Sequence, residues 1–309
     1  MGSQTFGCFG NMMPPKELDQ HPYLLNVEPF RIKGNLYFVG TATFSTHLID
    51  TGDGLIILDV PPFQSFPYVL NNIWRLGFDP RDIKLIIISH GHVDHYGSAN
   101  AMKHLTGATT ALGKVDADDM AKQPEVYIED LKMFGGLDEH FVPDITLEDG
   151  QVIEMGNTKI RCVWIPGHSL GAMAHFWECQ DGDNTYKVGI YGGAGFVTLQ
   201  DAMIKRFHYP ENLADMFLES IDKVWDEHVD IMLGNHPFHS RTLKKRVEQL
   251  EGNADAFIDP GEWHRYLTEL RDDCLYFLSL DDEGRMEEMK KNHFEEYSGQ
   301  YLRRLQQLD

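Results

Sequence analysis

No apolar run in this chain approaches the roughly 18 residues that cross a bilayer as a helix, so no membrane span is expected. The opening stretch, Met1 to Gln20, lacks the basic flank and apolar segment of a secretory signal. The expected location is cytoplasmic as the sequence stands, and periplasmic or secreted if a signal peptide has been removed. Cysteine is scarce: Cys8, Cys162, Cys179 and Cys274 form no CxxC pair and follow no regular spacing. That argues against a disulfide framework and for buried, reduced thiols. Cations are few, with 27 Lys and Arg against 48 Asp and Glu and a net charge of -21. Such a charge repels phosphate backbones and acidic lipid surfaces, leaving a small molecule as the expected partner and excluding nucleic acid and membrane. Internal repeats and low-complexity tracts are missing as well.

What is present suits a globular protein with a substantial core: 309 residues, 42% of them hydrophobic. Asn35 to Thr41 and His47 to Val60 read as strands, the second folded at Thr51-Gly52-Asp53-Gly54, a hairpin signal. Ser65 to Leu76 has apolar residues at helical spacing, and Ile83 to Ile88 is a run expected of a strand buried on both faces. A helix from about Asp94 through His104, a short strand near Thr109 and a helical region from Lys114 to Met133 follow. Four strand-like segments then lie between Gln151 and Gly193, followed by a helix over Asn212 to Val229, a strand at Ile231 to Leu233 and a helix over Ser240 to Leu250. This order suits two sheets with helices outside them. After Gly252, Asp259-Pro260-Gly261-Glu262 reads as a helix start with an acidic cap, and a second helix is expected over about Glu283 to Leu308. The aromatic stripe of that tail could pack on its own domain or form a homodimer. The acidic runs Asp281 to Glu283 and Glu287-Glu288 read as a solvated face.

The count that stands out is 15 histidines. Directly after the buried strand comes Ser89-His90-Gly91-His92-Val93-Asp94-His95. Residues i and i+2 at an extended strand end point the same way, so His90 and His92 can share one metal ion. Asp94 and His95, at a helix start, can hold a second. Nitrogen and carboxylate ligands without thiolate favour zinc, with manganese or iron as alternatives. Each shell needs further ligands, and His168 in Pro166-Gly167-His168-Ser169 and His236 in Asn235-His236-Pro237 both follow strands. His47, His104, His175 and His239 read as satisfied core or surface histidines, with His239 the one to recheck. Met12, Met13 and the aromatics of the opening stretch could wall a substrate pocket, but read first as packing loosely on the fold.

These motifs together, with the hairpin T-G-D-G-L-I-I-L-D, resemble the metallo-β-lactamase superfamily over roughly Pro29 to Gly252. The resemblance implies a four-layer αββα sandwich of class α/β with a C-terminal helical extension. It divides the chain into an N-terminal loop segment at 1–28, a hydrolase domain at 29–252 and helices at 253–309. Where other branches place a bridging aspartate or a cysteine, this chain has Tyr191 to Gly195. The remaining set is therefore similar to that of the third, all-histidine-and-aspartate subclass: His90, His92 and His168 for one zinc, and Asp94, His95 and His236 for the other. That subclass usually carries hydroxyl residues where Ala194 and Phe196 stand, which help hold the carboxylate of a β-lactam.

The implied activity is that of a binuclear zinc hydrolase opening a cyclic amide, β-lactam-like, with a metal-bound hydroxide. Asp94 would be both ligand and catalytic residue, orienting the nucleophile and shuttling a proton. β-Lactamase activity and a part in antibiotic resistance belong to the same expectation. A lactonase or thioesterase of the same fold is the alternative, and a non-catalytic metal-binding protein the third reading.

Overall fold

The computed structural model describes residues 11–135 and 139–308. Cys8 and the aromatics before Asn11 lie outside them. The described residues form two sheets. The first runs in chain order: β1 (Phe30–Lys33), β2 (Leu36–Phe38), β3 (His47–Asp50), β4 (Leu55–Leu58), β5 (Ile83–Ile88), β6 (Thr109–Gly113) and β7 (Ile145–Leu147). Its first four strands are antiparallel neighbours, and from β4 onward the pairing is parallel. The second sheet has an antiparallel meander, β8 (Val152–Met155), β9 (Thr158–Trp164), β10 (Met173–Asp181) and β11 (Asn184–Tyr191), with β12 (Ile231–Gly234) parallel to β11.

Strand periodicity explains the layering. In β5, Leu85 and Ile87 join the core shared with Ile160, Cys162, Trp177 and Ile190 of the second sheet, while Ile86 and Ile88 join a core with Val69 and Ile73 of the helix Phe66–Arg75. Alternate residues of one strand thus serve the inter-sheet layer and an outer helical layer. On the second sheet Ala174 and Phe176 share the outer core with Phe217 and Ile221 of the helix Leu213–Lys223, opposite Met173 and Trp177. The expected αββα sandwich is the observed architecture.

Several boundaries differ from the sequence reading. The helix expected over Asp94 to His104 is two, Val93–Tyr96 and Ala99–Thr106. Gly97 at the break lies so close to the chain that a Cβ there would sit 2.6 Å from the Val93 carbonyl and 3.1 Å from Pro62. The region Lys114 to Met133 is likewise two helices, Lys114–Lys122 and Pro124–Met133, parted at a proline. The acidic cap at Asp259 belongs to a turn, and the helix Glu262–Ser279 begins behind it without a side-chain cap. Glu262, expected to complete that cap, is instead fully buried and takes ion pairs from Lys245 (2.5 Å) and Arg241 (3.0 Å). This helix buries Trp263, Tyr266, Leu267, Leu270, Cys274 and Phe277 in the outer core, where the Trp263 indole N–H donates to the Val224 carbonyl at 2.9 Å.

The second tail helix is also interrupted. Asp282–Lys290 ends before a bridge between Asn292 and Asn11, and the chain resumes through a π-turn at Glu295–Gly299 into Gln300–Leu308. Main-chain pairing with the opposite end of the chain outweighs helical continuity there. Asn11 N–H donates to the Lys291 carbonyl (3.0 Å) and His293 N–H to the Asn11 carbonyl (2.8 Å).

Candidate metal centre

Three strand ends converge at one edge of the sandwich. The segment after β5 delivers His90 and His92, the helix Val93–Tyr96 behind it Asp94 and His95, the turn after β9 His168, and the turn after β12 His236. His90, His92 and His168 present ligand atoms within 4.8 Å of one another, as do Asp94, His95 and His236. All six residues singled out in the sequence come together, in the two expected threes.

Each outer hydrogen bond decides which nitrogen faces inward. The Nδ1–H of His168 donates to the Gly195 carbonyl (2.9 Å) and that of His236 to the Thr43 carbonyl (2.8 Å), freeing both Nε2 lone pairs. His95 Nδ1–H donates to Asp59 at 3.0 Å. The Ser89 hydroxyl donates to the same carboxylate (2.9 Å), so at 3.1 Å it accepts from His90 Nδ1–H. His90 Nε2 is then buried and aimed inward without a protein partner. In the first group it is His92 Nδ1 that lies 3.0 Å from His168 Nε2, within hydrogen-bond distance of that acceptor. A buried, unpartnered acceptor among imidazoles is costly without a cation, and the donor set suits a divalent ion taking nitrogen and oxygen ligands.

Electrostatics separate the two groups. Burial, reinforced by His95, His92 and His168, holds His90 well below the usual histidine range, and burial lowers His92 to about 4. Burial and His92 depress His168 in the same way. Protonation is thus opposed wherever the first group would offer a lone pair. In the second group burial also disfavours a charged His95, but Asp94 and Asp59 outweigh it and raise His95 to about 10. Burial would raise the Asp94 carboxyl, but His95 and His236, at 3.3 and 3.4 Å from its Oδ2, hold it well below the carboxylate range.

Supports that sequence reasoning did not assign lie beneath the ligands. Asp59 accepts from Ser89 N–H (2.8 Å), Ser89 Oγ, His95 and Asn235 Nδ2 (2.8 Å), and it adopts a φ of 61° uncommon outside glycine. Burial opposes its charge, and these donors keep its pKa low. Asp116 clamps two ligand loops: it accepts from Gly91 N–H (2.6 Å), Ser169 Oγ (2.7 Å) and Gly171 N–H (2.6 Å). Burial outweighs those bonds and raises it to about 6. The only sequence signal was Asp59 closing the run before Val60; nothing marked Asp116. At Gly193 a Cβ would sit 2.8 Å from His168 Cδ2, so the stretch lacking a ligand makes room for one.

Other readings change. His239 lines the site, its ring 5.1 Å from that of His236. His47 and His175 are buried, yet His47 Nε2 and both nitrogens of His175 find no hydrogen-bond partner among the described residues, so they are not satisfied core histidines. Met12 and Met13 line the cavity instead of packing loosely. Ala194 also faces it, whereas Phe196 is turned into the core against Phe217 and Phe277.

Residues 44–179 match the family model of the metallo-β-lactamase superfamily. Among solved structures, the native metallo-β-lactamase of Legionella gormanii is 27% identical with a TM-score of 0.73, covering 82% of this chain and 96% of that one. A subclass B3 metallo-β-lactamase of Bradyrhizobium japonicum is 28% identical with a TM-score of 0.69, over 83% and 96%. A β-lactamase hydrolase-like protein of Xylella fastidiosa is 30% identical over 94 residues, 30% of this chain and 21% of that protein. The chain thus spans about a fifth of the length of the first curated relatives it matches.

Proposed function

We propose that the chain is a metal-dependent hydrolase of the metallo-β-lactamase superfamily, a binuclear zinc enzyme opening a cyclic amide or ester. The observation that carries this reading is the pair of three-ligand groups, each with its ligand atoms within 4.8 Å of one another, with His168 and His236 turned by outer hydrogen bonds so that Nε2 faces inward. His90, His92 and His168 would hold one ion, and Asp94, His95 and His236 the other. Such ions supply Lewis-acid activation of water and polarise the substrate carbonyl.

The chain's own groups do the rest. Asp94 is kept ionised between His95 and His236 and faces the cavity, where it accepts a hydrogen bond from the attacking water and orients it. As the water oxygen bonds to the carbonyl carbon and the carbon–nitrogen or carbon–oxygen bond breaks, the water's proton passes through the Asp94 carboxylate to the departing atom. Asp59 and Asp116 hold the ligands at their stations and do not touch substrate. We assign residues 29–252 to the hydrolase unit and 1–28 and 253–309 to flanking segments.

A lactone or thioester substrate is the second reading, favoured by the alanine at 194 and the inward-turned Phe196, which leave no hydroxyl at either position to hold a carboxylate. A panel of a chromogenic cephalosporin, a lactone and a thioester, with metal content measured on the same preparation, tests both. Two zinc ions per chain, loss of turnover on chelation and recovery on zinc addition are expected. Asp94→Asn should lower kcat about 10²-fold or more. Full turnover in chelator would sink the proposal.

A further inference from the structure

The cavity over the metal centre, about 390 Å³, has an unusual rim. Met12 and Met13 come from one end of the chain and Met289 from the other, facing Phe238, Val197 and Ala194. The two ends are stitched together by the Asn11 pairing and by Asn292 Nδ2, which donates to the Met13 carbonyl at 3.0 Å. Met12 is buried against Phe238 and Tyr297, and Phe238 stacks on the His236 ring at 4.8 Å and 8°. Among the described residues lining this cavity there is no lysine or arginine. A carboxylate carried into the methionine rim would therefore lose hydration without a cationic side chain to receive it. Three polarizable, adaptable thioethers and a phenyl ring favour an apolar group of variable length.

We propose that this rim makes the enzyme selective for neutral cyclic esters or amides bearing an apolar side arm, with Met12 and Met289 as specificity-determining residues. The inference rests on the hydrolase reading above and narrows its substrate. Each methylene buried in the rim favours binding about fourfold.

The test uses the full zinc-loaded chain and two series, γ-lactones for turnover and hydrolysis-resistant 5-alkyl γ-lactams for calorimetric binding, each from unsubstituted to hexyl-substituted. From the shortest to the longest lactone, kcat/KM should rise at least tenfold through KM, lactam affinity should rise in parallel, and a carboxylated analogue should be the poorer ligand. Met12→Ala combined with Met289→Ala should flatten both series to under threefold. Met12→Leu with Met289→Leu, which keeps apolar bulk, should preserve the dependence. Turnover without dependence on chain length, or a preference for the carboxylated analogue, overturns the inference and spares the hydrolase reading. Chain-dependent lactam binding with no turnover of any substrate overturns the hydrolase reading and supports the rim assignment.

Discussion

Beneath the ligands, Asp59 and Asp116 gather seven hydrogen bonds from backbone amides, serine hydroxyls, an imidazole and an amide, nearly all from buried groups far apart in sequence. Above the ligands, contacts are made by methionine and phenylalanine side chains brought in from the two chain ends. The floor is directional and intolerant, because a buried donor that loses its acceptor pays the full desolvation cost. The rim is adaptable, because dispersion contacts of a flexible thioether survive small displacements. The difference assigns chemistry to the floor and choice of substrate to the rim.

The sharpest way to break this comparison is to remove an acceptor from the floor. Asp59→Ala strands the His95, Ser89 and Asn235 donors and puts alanine at a left-handed φ, and it should cost about 3–5 kcal/mol in urea unfolding of the metal-free protein. Asp116→Ala frees the Gly91 and Gly171 amides and should weaken metal binding about 10- to 100-fold, measured by competition with a chromophoric chelator. Unchanged metal affinity in both variants would dissolve the distinction between floor and rim. The rim substitutions, by contrast, should move KM and leave metal affinity alone.

The smallest effect is expected behind both regions. Burial, with Glu269 and Asp272 nearby, raises the Asp273 carboxyl to about 7. Between its ordinary value near 4 and 7 the folded chain holds a proton that the unfolded chain has lost, so this group's contribution to stability falls as pH rises through that window. Asp273→Asn should therefore raise stability at pH 8 by about 1 kcal/mol, or about 2 °C in Tm, after discounting for solvent screening, with almost no gain at pH 4. A loss of turnover in that variant would mean that the tail helix acts on the site.

Legibility in the sequence followed locality. The strand Ile83–Ile88 coincides with its expected bounds because Leu85 to Ile88 is a short apolar run, preceded by Ile83 and one exposed lysine, that has few alternatives. The breaks at Gly97 and at residues 291–293 were not visible, since Pro62 and Asn11, which impose them, are remote in the chain. β1 and β7 were not anticipated: at four and three residues, each is too short to show a period. Glu262 looked like a cap because its spacing was right, and only its burial against Lys245 and Arg241 revealed an ion-pair role.

The sequence by itself determined which side chains can bind metal and in which local geometry, because alternation at a strand end and the start of a helix are properties of a few consecutive residues. Tertiary structure alone decided which distant turns meet at that edge, which nitrogen each imidazole turns inward, and what stands over the result. Those depend on acceptors such as the Asp59 carboxylate and the Thr43 and Gly195 carbonyls, and on the Met12 and Met289 side chains over the cavity, all remote in the chain from the groups they serve and joined to them only by folding.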